Sequence, residues 1–418
     1  MNILVVGGGG REHAICWALR KSVRVVKLFC APGNGGISEI AECIDIRATD
    51  IDGIVRFAKD NTDFVMVAPD DPLAMGLVDA LEAAGIRAFG PRKNAAKLES
   101  SKVYAKGIMK KYGIPTADYN VFTEIQDAKE YIHRHGAPLV VKADGLALGK
   151  GVVVAMDIDS ALKAVDSMMI DKKFGDSGSR IIIEECMTGP EVTVLVFTDG
   201  KTIVPMLPSQ DHKRVFTGDI GPNTGGMGAF CPTPLYTNEI ADTCMKTIIR
   251  PTIEAMNSEG TPFKGVLYFG LMLTPKGVRV VEYNARFGDP EAQPILSLLK
   301  TDILDIFEAV ADERLHEIEI EWINGYSCCV VMASGGYPDK YETGFEITGL
   351  ENIPHDVTVF HAGSSRSDGA YLTSGGRVLG VTARGNSLQE AASNAYEGVR
   401  CINFENVHYR TDIGVKNS

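Results

Sequence analysis

The segment Gly265-Val-Leu-Tyr-Phe-Gly-Leu-Met-Leu-Thr-Pro-Lys-Gly-Val-Arg-Val-Val-Glu-Tyr-Asn-Ala-Arg-Phe-Gly-Asp-Pro-Glu291 carries the strongest pattern in this chain. It predicts an apolar strand, a Pro-Lys-Gly turn and a second strand that ends in Glu282, Asn284 and Arg286. Because residues two apart in a strand share a face, these three side chains are expected to point the same way. Carboxylate and amide oxygens suit Mg²⁺, and an arginine beside them suits developing negative charge. Taken alone, the pattern also fits a surface strand with a wet polar face.

Composition and charge indicate an ordinary globular protein of several domains. A chain of 418 residues is too long for one core, so about two to four domains are expected. Its 45% apolar and 23% charged residues are typical of soluble proteins, and a net charge of −12 argues against a nucleic-acid partner. Nine dispersed cysteines without CxxC pairs favour reduced thiols in the cytoplasm over a disulfide framework or a zinc site. No apolar run has membrane length and no basic leader precedes one, so no membrane association is expected.

The first hundred residues predict a doubly wound (Rossmann-like) domain. A strand at 2–6 leads into the glycine turn Gly7–His13 and then a helix, and a second strand is predicted at 23–29. The second strand ends in Cys30–Pro32 and lacks the acidic residue that holds a ribose in dinucleotide sites. We therefore expect a phosphorylated small substrate over this turn rather than NAD or FAD, with Arg11 as its ion partner.

A helix that begins after residue 101 carries two lysines on one face. Ser101 can cap this helix, Gly113 can end it, and Lys102 and Lys106 are four residues apart. Lysines in a first turn oppose the helix dipole, which indicates an anion nearby. Two solvated lysines fit the pattern equally well.

Residues from about 116 to 188 predict a compact α/β module that contains a glycine hairpin. A strand ending at Lys142, the glycine loop 143–151 and a run of valines form strand, loop and strand. The loop is not a Walker A motif, because no Ser or Thr follows Lys150, but such a hairpin can fold down over a triphosphate. The pair Glu184-Glu185 ends a further strand, either at a domain junction or at a strand end that rises into water.

The rest of the chain predicts one glycine-dense loop and a small C-terminal domain. The loop Gly221–Ala229 is dense in glycine and predicts an anion nest of backbone N–H groups, with a plain irregular loop as the alternative. From Tyr326 onward, apolar strands, the turn Ser334–Pro338 and a helix near 388–402 predict a small α+β closing domain. We expect few candidate catalytic groups in that domain.

In this order, the motifs resemble those of the ATP-grasp superfamily and, within it, the phosphoribosylamine–glycine ligase (glycinamide ribonucleotide synthetase) family. The resemblance spans nearly the whole chain. One departure is Ala68-Pro-Asp-Asp-Pro-Leu73, where the family usually has Gly-Pro-Glu-x-Pro-Leu, so substrate contacts from this loop stay open. The matching motifs are Gly8-Gly-Gly-Arg-Glu-His-Ala14, Ser101-Lys102 through Lys106, Val140-Val-Lys-Ala-Asp-Gly-Leu-Ala-Leu-Gly-Lys-Gly-Val152, Asp211-His-Lys-Arg214, Asn223-Thr-Gly-Gly-Met-Gly-Ala229, Glu282-Tyr-Asn-Ala-Arg-Phe-Gly-Asp-Pro-Glu-Ala-Gln293 and Arg410-Thr-Asp-Ile-Gly414.

The resemblance implies an α/β and α+β multidomain fold. It places an N-terminal Rossmann-like (preATP-grasp) substrate domain at 1–100 and an ATP-grasp domain at 101–325, with a lid subdomain at about 116–188. A small C-terminal α+β closing domain follows at 326–418.

The reaction implied by the resemblance belongs to de novo purine biosynthesis. ATP, glycine and 5-phosphoribosylamine give ADP, phosphate and glycinamide ribonucleotide through a glycyl phosphate, with Mg²⁺ or Mn²⁺ beside ATP. Such chemistry needs charge neutralisation and alignment, so no Ser–His–Asp arrangement is expected. The partners are small molecules, and a transient contact with the preceding pathway enzyme stays open. The main alternative is another ATP-grasp ligase of purine metabolism, a carboxylase or a formate-using transformylase. A Rossmann oxidoreductase and a non-catalytic nucleotide-binding module are the others.

The resemblance also implies roles for individual residues. Glu282 and Asn284 would hold the metal, since the preceding strand Tyr268–Met272 contains no acid. The implied catalytic residues are Arg286, Lys142 and Asp211. The implied ATP-binding residues are Lys102, Lys106, Lys142, Gly145, Gly149, Lys150, Gly151, Glu184, Glu185, Cys186, Met187 and Glu191. The implied substrate-binding residues are Gly9, Arg11, Glu12, Asp211, Lys213, Thr224, Gly225, Gly226, Met227, Gly228 and Arg286.

Overall fold

A five-stranded parallel sheet occupies the N-terminal part of the chain. The computed structural model describes residues 1–146, 151–171 and 178–415. Buried strands alternate with helices, and the strand order is β3-β2-β1-β4-β5, which confirms the doubly wound prediction. The elements are β1 (Asn2–Gly7), α1 (Gly10–Leu19), β2 (Lys27–Pro32), β3 (Glu42–Cys43), α2 (Ile51–Asn61), β4 (Phe64–Val67), α3 (Asp70–Met75), α4 (Leu77–Ala83) and β5 (Ala88–Phe89).

The second strand begins later than the sequence predicts. Val23 and Val26 are 99% and 73% exposed, and β2 starts only at Lys27. The register explains the difference, because Lys27 pairs with Asn2, the first residue of β1, and no strand lies beside the earlier valines. β-branched residues therefore do not form a strand here without a partner.

The segment predicted to be the lid folds as a four-stranded antiparallel sheet covered on one face by two helices. The order β6-β9-β7-β8 places the predicted glycine hairpin between the paired strands β7 and β8. The apolar sides of both helices pack on one face of the sheet, and Val140 and Val154 line a cavity on the other. The elements are α5 (Lys93–Ser100), α6 (Lys102–Lys111), β6 (Tyr119–Phe122), α7 (Ile125–His135), β7 (Leu139–Ala143), β8 (Val152–Ala155), α8 (Ile158–Met169) and β9 (Ile181–Glu185), of which α5 and α6 precede the lid.

The central sheet contains the two strands predicted from the opening segment. Its order is β11-β10-β16-β17, and β16 and β17 form an antiparallel hairpin that turns at Gly277, where φ is +103°. In the register, Glu282 lies opposite Gly270 and Asn284 opposite Tyr268. The elements are β10 (Glu191–Thr198), β11 (Ile203–Pro205), β12 (Gln210–Asp211), β13 (Arg214–Phe216), β14 (Ile220–Asn223), β15 (Gly228–Cys231), α9 (Asn238–Cys244), a π-helical turn (Met245–Ile249), α10 (Arg250–Ser258), β16 (Gly265–Thr274), β17 (Gly277–Asn284), α11 (Ala292–Ser297) and α12 (Ile303–Ala311).

The C-terminal sheet takes two strands from earlier in the chain. Its order is β12-β15-β18-β23-β20, so β12 and β15 join a sheet that otherwise lies beyond residue 325. Phe360 from this sheet packs in the same apolar core as Ile3 and Val5 of the first sheet, which fixes the two parts against each other. The elements are β18 (Tyr326–Ser334), β19 (Glu346–Ile347), β20 (Val357–His361), β21 (Ser364–Ser367), β22 (Ala370–Thr373), β23 (Arg377–Gly385), α13 (Leu388–Cys401) and β24 (Val407–His408). None of the helices in the described ranges is long and apolar enough to cross a bilayer.

Candidate active site

A cavity of about 570 Å³ lies where the first sheet, the lid, the central sheet and the C-terminal sheet meet. Most of the residues singled out in the sequence line this one space, although they are spread over nearly 280 positions of the chain. They are Arg11, Lys102, Lys106, Lys142, Gly145, Gly151, Glu184, Glu185, Cys186, Met187, Glu191, Asp211, Lys213, Thr224, Gly225, Glu282, Asn284 and Arg286.

The remaining predicted site residues do not line the cavity or lie outside the described residues. Gly149 and Lys150 belong to the second group. Glu12 caps its own helix, since Glu12 Oε2 accepts from Gly9 N at 2.6 Å and Glu12 Oε1 from Arg11 Nε at 2.7 Å. The side chain of Met227 is buried in an apolar cluster, and Gly226 and Gly228 are not among the residues that line the cavity. Ligand contacts from all these residues stay predictions.

The lid end of the cavity, defined by Lys102, Lys106, Lys142 and Glu184, is a buried and mainly cationic cluster. Lys106 Nζ lies 3.2 Å from Glu184 Oε1, and Lys142 Nζ lies 2.8 Å from Glu184 Oε2. Glu184 is only 2% exposed, so it is not a strand end that rises into water. Two buried lysines share one carboxylate, and the surplus positive charge suits an anionic ligand.

Burial shifts the titration of these lysines. It lowers the pKa of Lys106 to about 8, with Glu184 opposing the shift, and it also lowers the pKa of Lys102. Lys102 Nζ donates to the carbonyl oxygen of Gly145 at 2.9 Å, and Ser101 caps α6 as predicted. Helix α6 is therefore tied directly to the glycine hairpin that borders the cavity.

The end of β17 presents the two predicted metal ligands. Lys213 Nζ lies 3.9 Å from Glu282 Oε1 and 2.8 Å from Glu191 Oε2. Burial alone would raise the pKa of Glu282, but Lys213, Lys142 and Lys102 together hold it below its ordinary value. Glu282 is thus a carboxylate at neutral pH. Its oxygens and the Asn284 amide oxygen form a hard donor set that fits a divalent cation which also carries phosphate.

The predicted metal ligands Glu282 and Asn284 do not belong to a larger cluster of metal-binding side chains in the described residues. In the described part of the chain, no group of three or more His, Cys, Asp and Glu residues is arranged to hold a metal ion. Asn284 Oδ1 accepts from Arg286 Nη2 at 3.3 Å, which orients the amide. Binding of a metal ion by Glu282 and Asn284 stays a prediction.

Arg286 is fixed by a glutamate that the sequence does not reveal. Arg286 Nη2 lies 2.8 Å from Glu99 Oε1, and Glu99 Oε2 accepts from the backbone N–H of Ala285 at 2.8 Å. Burial raises the pKa of Glu99 to about 7, with the guanidinium of Arg286 opposing the shift. Glu99 sits inside α5 without any motif around it, so no sequence signal could have found it.

The opposite end of the cavity, here called the substrate end, is defined by Asp211, Glu291, Tyr268 and the loop Thr224–Gly228. Burial and the nearby carboxylate of Glu291 raise the pKa of Asp211 well above its ordinary value, and burial also raises the pKa of Glu291. Asp211 Oδ1 is buried and makes no hydrogen bond to the described residues. The buried Glu291 and the half-buried Asp211, with its unpartnered buried oxygen, suit an amine or another donor-rich ligand. Glu291 stands in the opening segment, which is the signal that could have identified it.

Close packing at the substrate end requires one of its glycines. A Cβ atom on Gly226 would lie 2.8 Å from Asp211 Oδ1 and 2.4 Å from Pro290 Cδ, and its φ of +116° is strained for other residues. The glycine-dense loop is therefore a fitted wall beside Asp211 rather than a plain irregular loop.

The C-terminal sheet holds that loop through an arginine. Arg377 Nη1 donates to the carbonyl oxygens of Gly225 and Asp289, both at 2.7 Å, and Arg377 Nη2 lies 2.9 Å from Asp289 Oδ2. Arg377 and Tyr337 both line the cavity. The C-terminal part thus supplies more of the cavity wall than the sequence predicts.

Family models match the chain in three consecutive segments. The N domain of phosphoribosylglycinamide synthetase matches residues 1–99, the ATP-grasp (A) domain matches residues 100–292 and the C domain matches residues 327–416. Together these segments cover most of the chain.

Full-length relatives agree with the family models. A phosphoribosylamine–glycine ligase from Rhodopirellula baltica is 50% identical, with 99% of this chain and 97% of the relative covered. One from Halalkalibacterium halodurans is 46% identical, with 100% and 97% covered.

Solved structures extend the likeness to the fold. The crystal structure of the phosphoribosylamine–glycine ligase from Thermotoga maritima has a TM-score of 0.86 and 32% identity, with 99% of this chain and 100% of that chain covered. A biotin carboxylase complex from Campylobacter jejuni shares the fold alone, with a TM-score of 0.75, 15% identity, and 99% and 94% covered.

Proposed function

The chain belongs to the phosphoribosylglycinamide synthetase family, and we propose that it ligates glycine to 5-phosphoribosylamine with ATP in de novo purine biosynthesis. The products are glycinamide ribonucleotide, ADP and phosphate. The observation that carries this proposal is one cavity with a cationic lid end, oxygen ligands on β17 and a carboxylate pair at the substrate end. The cavity therefore has one part that suits a polyphosphate, one that suits a divalent cation and one that suits an amine.

ATP is assigned to the lid end. Lys106 and Lys142 would bind its phosphates, because each is buried and they share the single carboxylate of Glu184. The backbone from Glu184 to Met187 would meet the adenine, and Glu191 the ribose hydroxyls. Gly145 and Gly151 border the loop that would close over the phosphates and keep water from the reactive intermediate.

ATP-grasp ligases use ATP with a divalent metal ion, and Glu282 with Asn284 would hold it here. A bound ion would neutralise negative charge on the phosphates of ATP. We assign Mg²⁺ as the ion, with Mn²⁺ as its substitute, because a carboxylate and an amide are hard ligands for both.

The chemistry proceeds in two displacements. A carboxylate oxygen of glycine attacks the γ-phosphorus, and the bond from that phosphorus to ADP breaks. The amine nitrogen of 5-phosphoribosylamine then attacks the carbonyl carbon, phosphate leaves, and the nitrogen loses a proton. Arg286 and Lys142 would neutralise charge on the transferring phosphoryl group, and Asp211 would orient the amine.

The other substrate contacts belong to the same proposal. Glycine and the phosphorylated sugar would be surrounded by Gly9, Arg11, Glu12, Lys213 and the loop Thr224–Gly228. We also propose a division into three domains, at 1–100, at 101–325 with a lid at about 116–188, and at 326–418. A cytoplasmic location and a transient contact with the preceding pathway enzyme are proposals as well.

Release of ADP tests the assignment against other ATP-grasp ligases. The purified chain is incubated with Mg-ATP and with glycine, formate or bicarbonate, each with its matching ribonucleotide acceptor. We expect ADP and glycinamide ribonucleotide only with glycine and 5-phosphoribosylamine. ADP formed only with formate or bicarbonate would contradict the proposal.

A further inference from the structure

We propose that the hydroxyl group of Tyr337 donates a hydrogen bond to the phosphorylated sugar amine, so that the C-terminal part supplies a substrate-binding residue. This inference rests on the proposed function, because it assigns a contact to one of the substrates named there. Tyr337 lies in the turn Ser334–Pro338, directly after β18, and its side chain lines the cavity beside Thr224 and Gly225.

The hydroxyl of Tyr337 has a proton to give. Its oxygen accepts from the backbone N–H of Gly225 at 3.1 Å. A tyrosine hydroxyl is both acceptor and donor, so this contact leaves the O–H proton for another oxygen. Among the hydrogen bonds of the described residues, none uses that proton. The hydroxyl group can therefore donate a hydrogen bond into the cavity.

The ring of Tyr337 is held in place by packing on the C-terminal sheet. A Cβ atom on Gly376 would lie 2.3 Å from Tyr337 Cδ2 and 2.8 Å from Tyr337 Cε2, so one edge of the ring packs closely against that glycine. The ring also packs on the small apolar cluster of Val215, Met227 and Ala333, and Tyr337 N donates to Ser334 O at 3.1 Å. A donor fixed in this way loses little freedom when a ligand binds.

A chain of contacts places Tyr337 at the wall shared with the glycine turn of the first sheet. Gly225, which donates to Tyr337, accepts from Arg377, and Arg377 pairs with Asp289. A Cβ atom on Gly10, in the first turn of α1, would lie 3.5 Å from Asp289 Oδ1. This wall adjoins the glycine turn assigned to the phosphorylated sugar, and Arg11 of that turn also lines the cavity, whereas the lysines assigned to ATP stand at the lid end. An O–H donor beside a glycine-rich turn suits phosphate and sugar oxygens.

The test compares Tyr337→Phe with Tyr341→Phe in the full chain. The ring of Tyr341 is 6.2 Å from that of Tyr337 and is exposed, so its variant is a matched control. We expect Tyr337→Phe to raise KM for 5-phosphoribosylamine about three- to tenfold, as loss of one net hydrogen bond predicts. The KM values for ATP and glycine should change less than about twofold, and Tyr341→Phe should match the wild type.

A binding measurement separates this inference from the proposed function. Titration calorimetry with ribose 5-phosphate as the probe should show weaker binding to Tyr337→Phe by a similar factor, with unchanged ADP binding. Wild-type binding by Tyr337→Phe, or an equal loss for all three substrates as a purely structural role would give, overturns the inference. A wild-type chain that binds ribose 5-phosphate but forms no glycinamide ribonucleotide would instead overturn the proposed function.

Discussion

At the lid end of the cavity two buried lysines share one carboxylate, whereas at the substrate end the half-buried carboxylate of Asp211 lies near the buried carboxylate of Glu291. The lid end therefore carries surplus positive charge and the substrate end carries acids that resist ionisation. Glu282 stands between them and stays ionised because Lys213, Lys142 and Lys102 surround it. The contrast indicates that one cavity can align an anionic donor and an amine without a dedicated proton-transfer triad.

The two ends also differ in what supports them. Side chains on α6, β7 and β9 build the lid end. The substrate end depends on contacts over nearly 200 positions, because the hairpin β13–β14 that carries it is fixed by Arg410 near the chain end. Substitution of Arg410 should therefore change the KM for 5-phosphoribosylamine more than the KM for ATP.

The largest effect is expected at Glu282, the carboxylate predicted to hold the metal ion. Glu282→Gln keeps the shape but removes the charge that would hold the divalent cation, so turnover should fall about 10²- to 10³-fold. The loss should grow as Mg²⁺ is lowered in steady-state assays. Glu254→Gln on the exposed face of α10 is the control and should behave as wild type. Unchanged kinetics for Glu282→Gln would refute the metal role.

Arg410→Ala tests the long-range support of the substrate end. Arg410 is 1% exposed, pairs with Asp412 at 2.7 Å and Asp219 at 2.8 Å, and donates to Arg214 O at 3.0 Å. Removal of a buried ion-pair partner should lower the free energy of unfolding by about 3 kcal/mol in denaturant titrations. The variant should also raise the KM for 5-phosphoribosylamine by a larger factor than it raises the KM for ATP.

The control for that variant is Arg400→Ala, which removes an exposed arginine from α13. It should leave both stability and kinetics unchanged. Equal losses of ATP and sugar affinity in Arg410→Ala would remove the distinction between the two ends.

Arg11→Ala sharpens the comparison at the glycine turn. Arg11 lines the cavity, pairs with Glu12 and donates to Phe287 O at 3.3 Å. Loss of a charged hydrogen-bond donor should raise KM for 5-phosphoribosylamine at least about tenfold and leave that for ATP near wild type. Arg20→Ala, exposed at the end of α1, is the matched control. A selective loss of ATP affinity would contradict the placement.

The smallest effect is a pH dependence at the lid end. Burial lowers the pKa of Lys106 from 10.5 to about 8, so the lysine loses its charge as pH rises through that value. The dissociation constant for ATP should rise above about pH 8, by at most about tenfold per pH unit. Between about pH 8 and 10.5 the unfolded chain holds this proton and the native chain does not, so this group's contribution to stability rises with pH.

Calorimetric titrations of ATP between about pH 7 and 9 measure this dependence. Lys106→Met should bind ATP weakly at every pH and flatten the profile. Lys110→Met, an exposed neighbour on the same helix, should keep it. A profile that is flat in the wild type would show that Lys106 does not contact the nucleotide.

Local patterns were enough to predict the elements that carry the lid end and the predicted metal ligands. The hairpin of β16 and β17, the glycine hairpin and the Ser101 cap all follow from alternation, turn residues and capping within short windows. The predicted strand at 23–29 was wrong at its start, because β propensity does not show whether a neighbouring strand is present.

Non-local pairing set the limit of prediction at the substrate end. The strands β12 and β15 join the C-terminal sheet across about a hundred residues of chain, which no local pattern reveals. Glu99, Tyr337 and Arg377 gain their positions only from that tertiary arrangement. The sequence around Glu99 does not distinguish this buried carboxylate from an exposed one on the surface of a helix.

The most direct test of the account is the position of the ion and nucleotide in a crystal. Crystals grown with Mn²⁺ and a non-hydrolysable ATP analogue would be measured near the manganese absorption edge. We predict an anomalous peak about 2 Å from the oxygens of Glu282 and Asn284, with the phosphates of the nucleotide at Lys106 and Lys142. A nucleotide bound on the glycine turn Gly7–His13, with no peak at the end of β17, would contradict it.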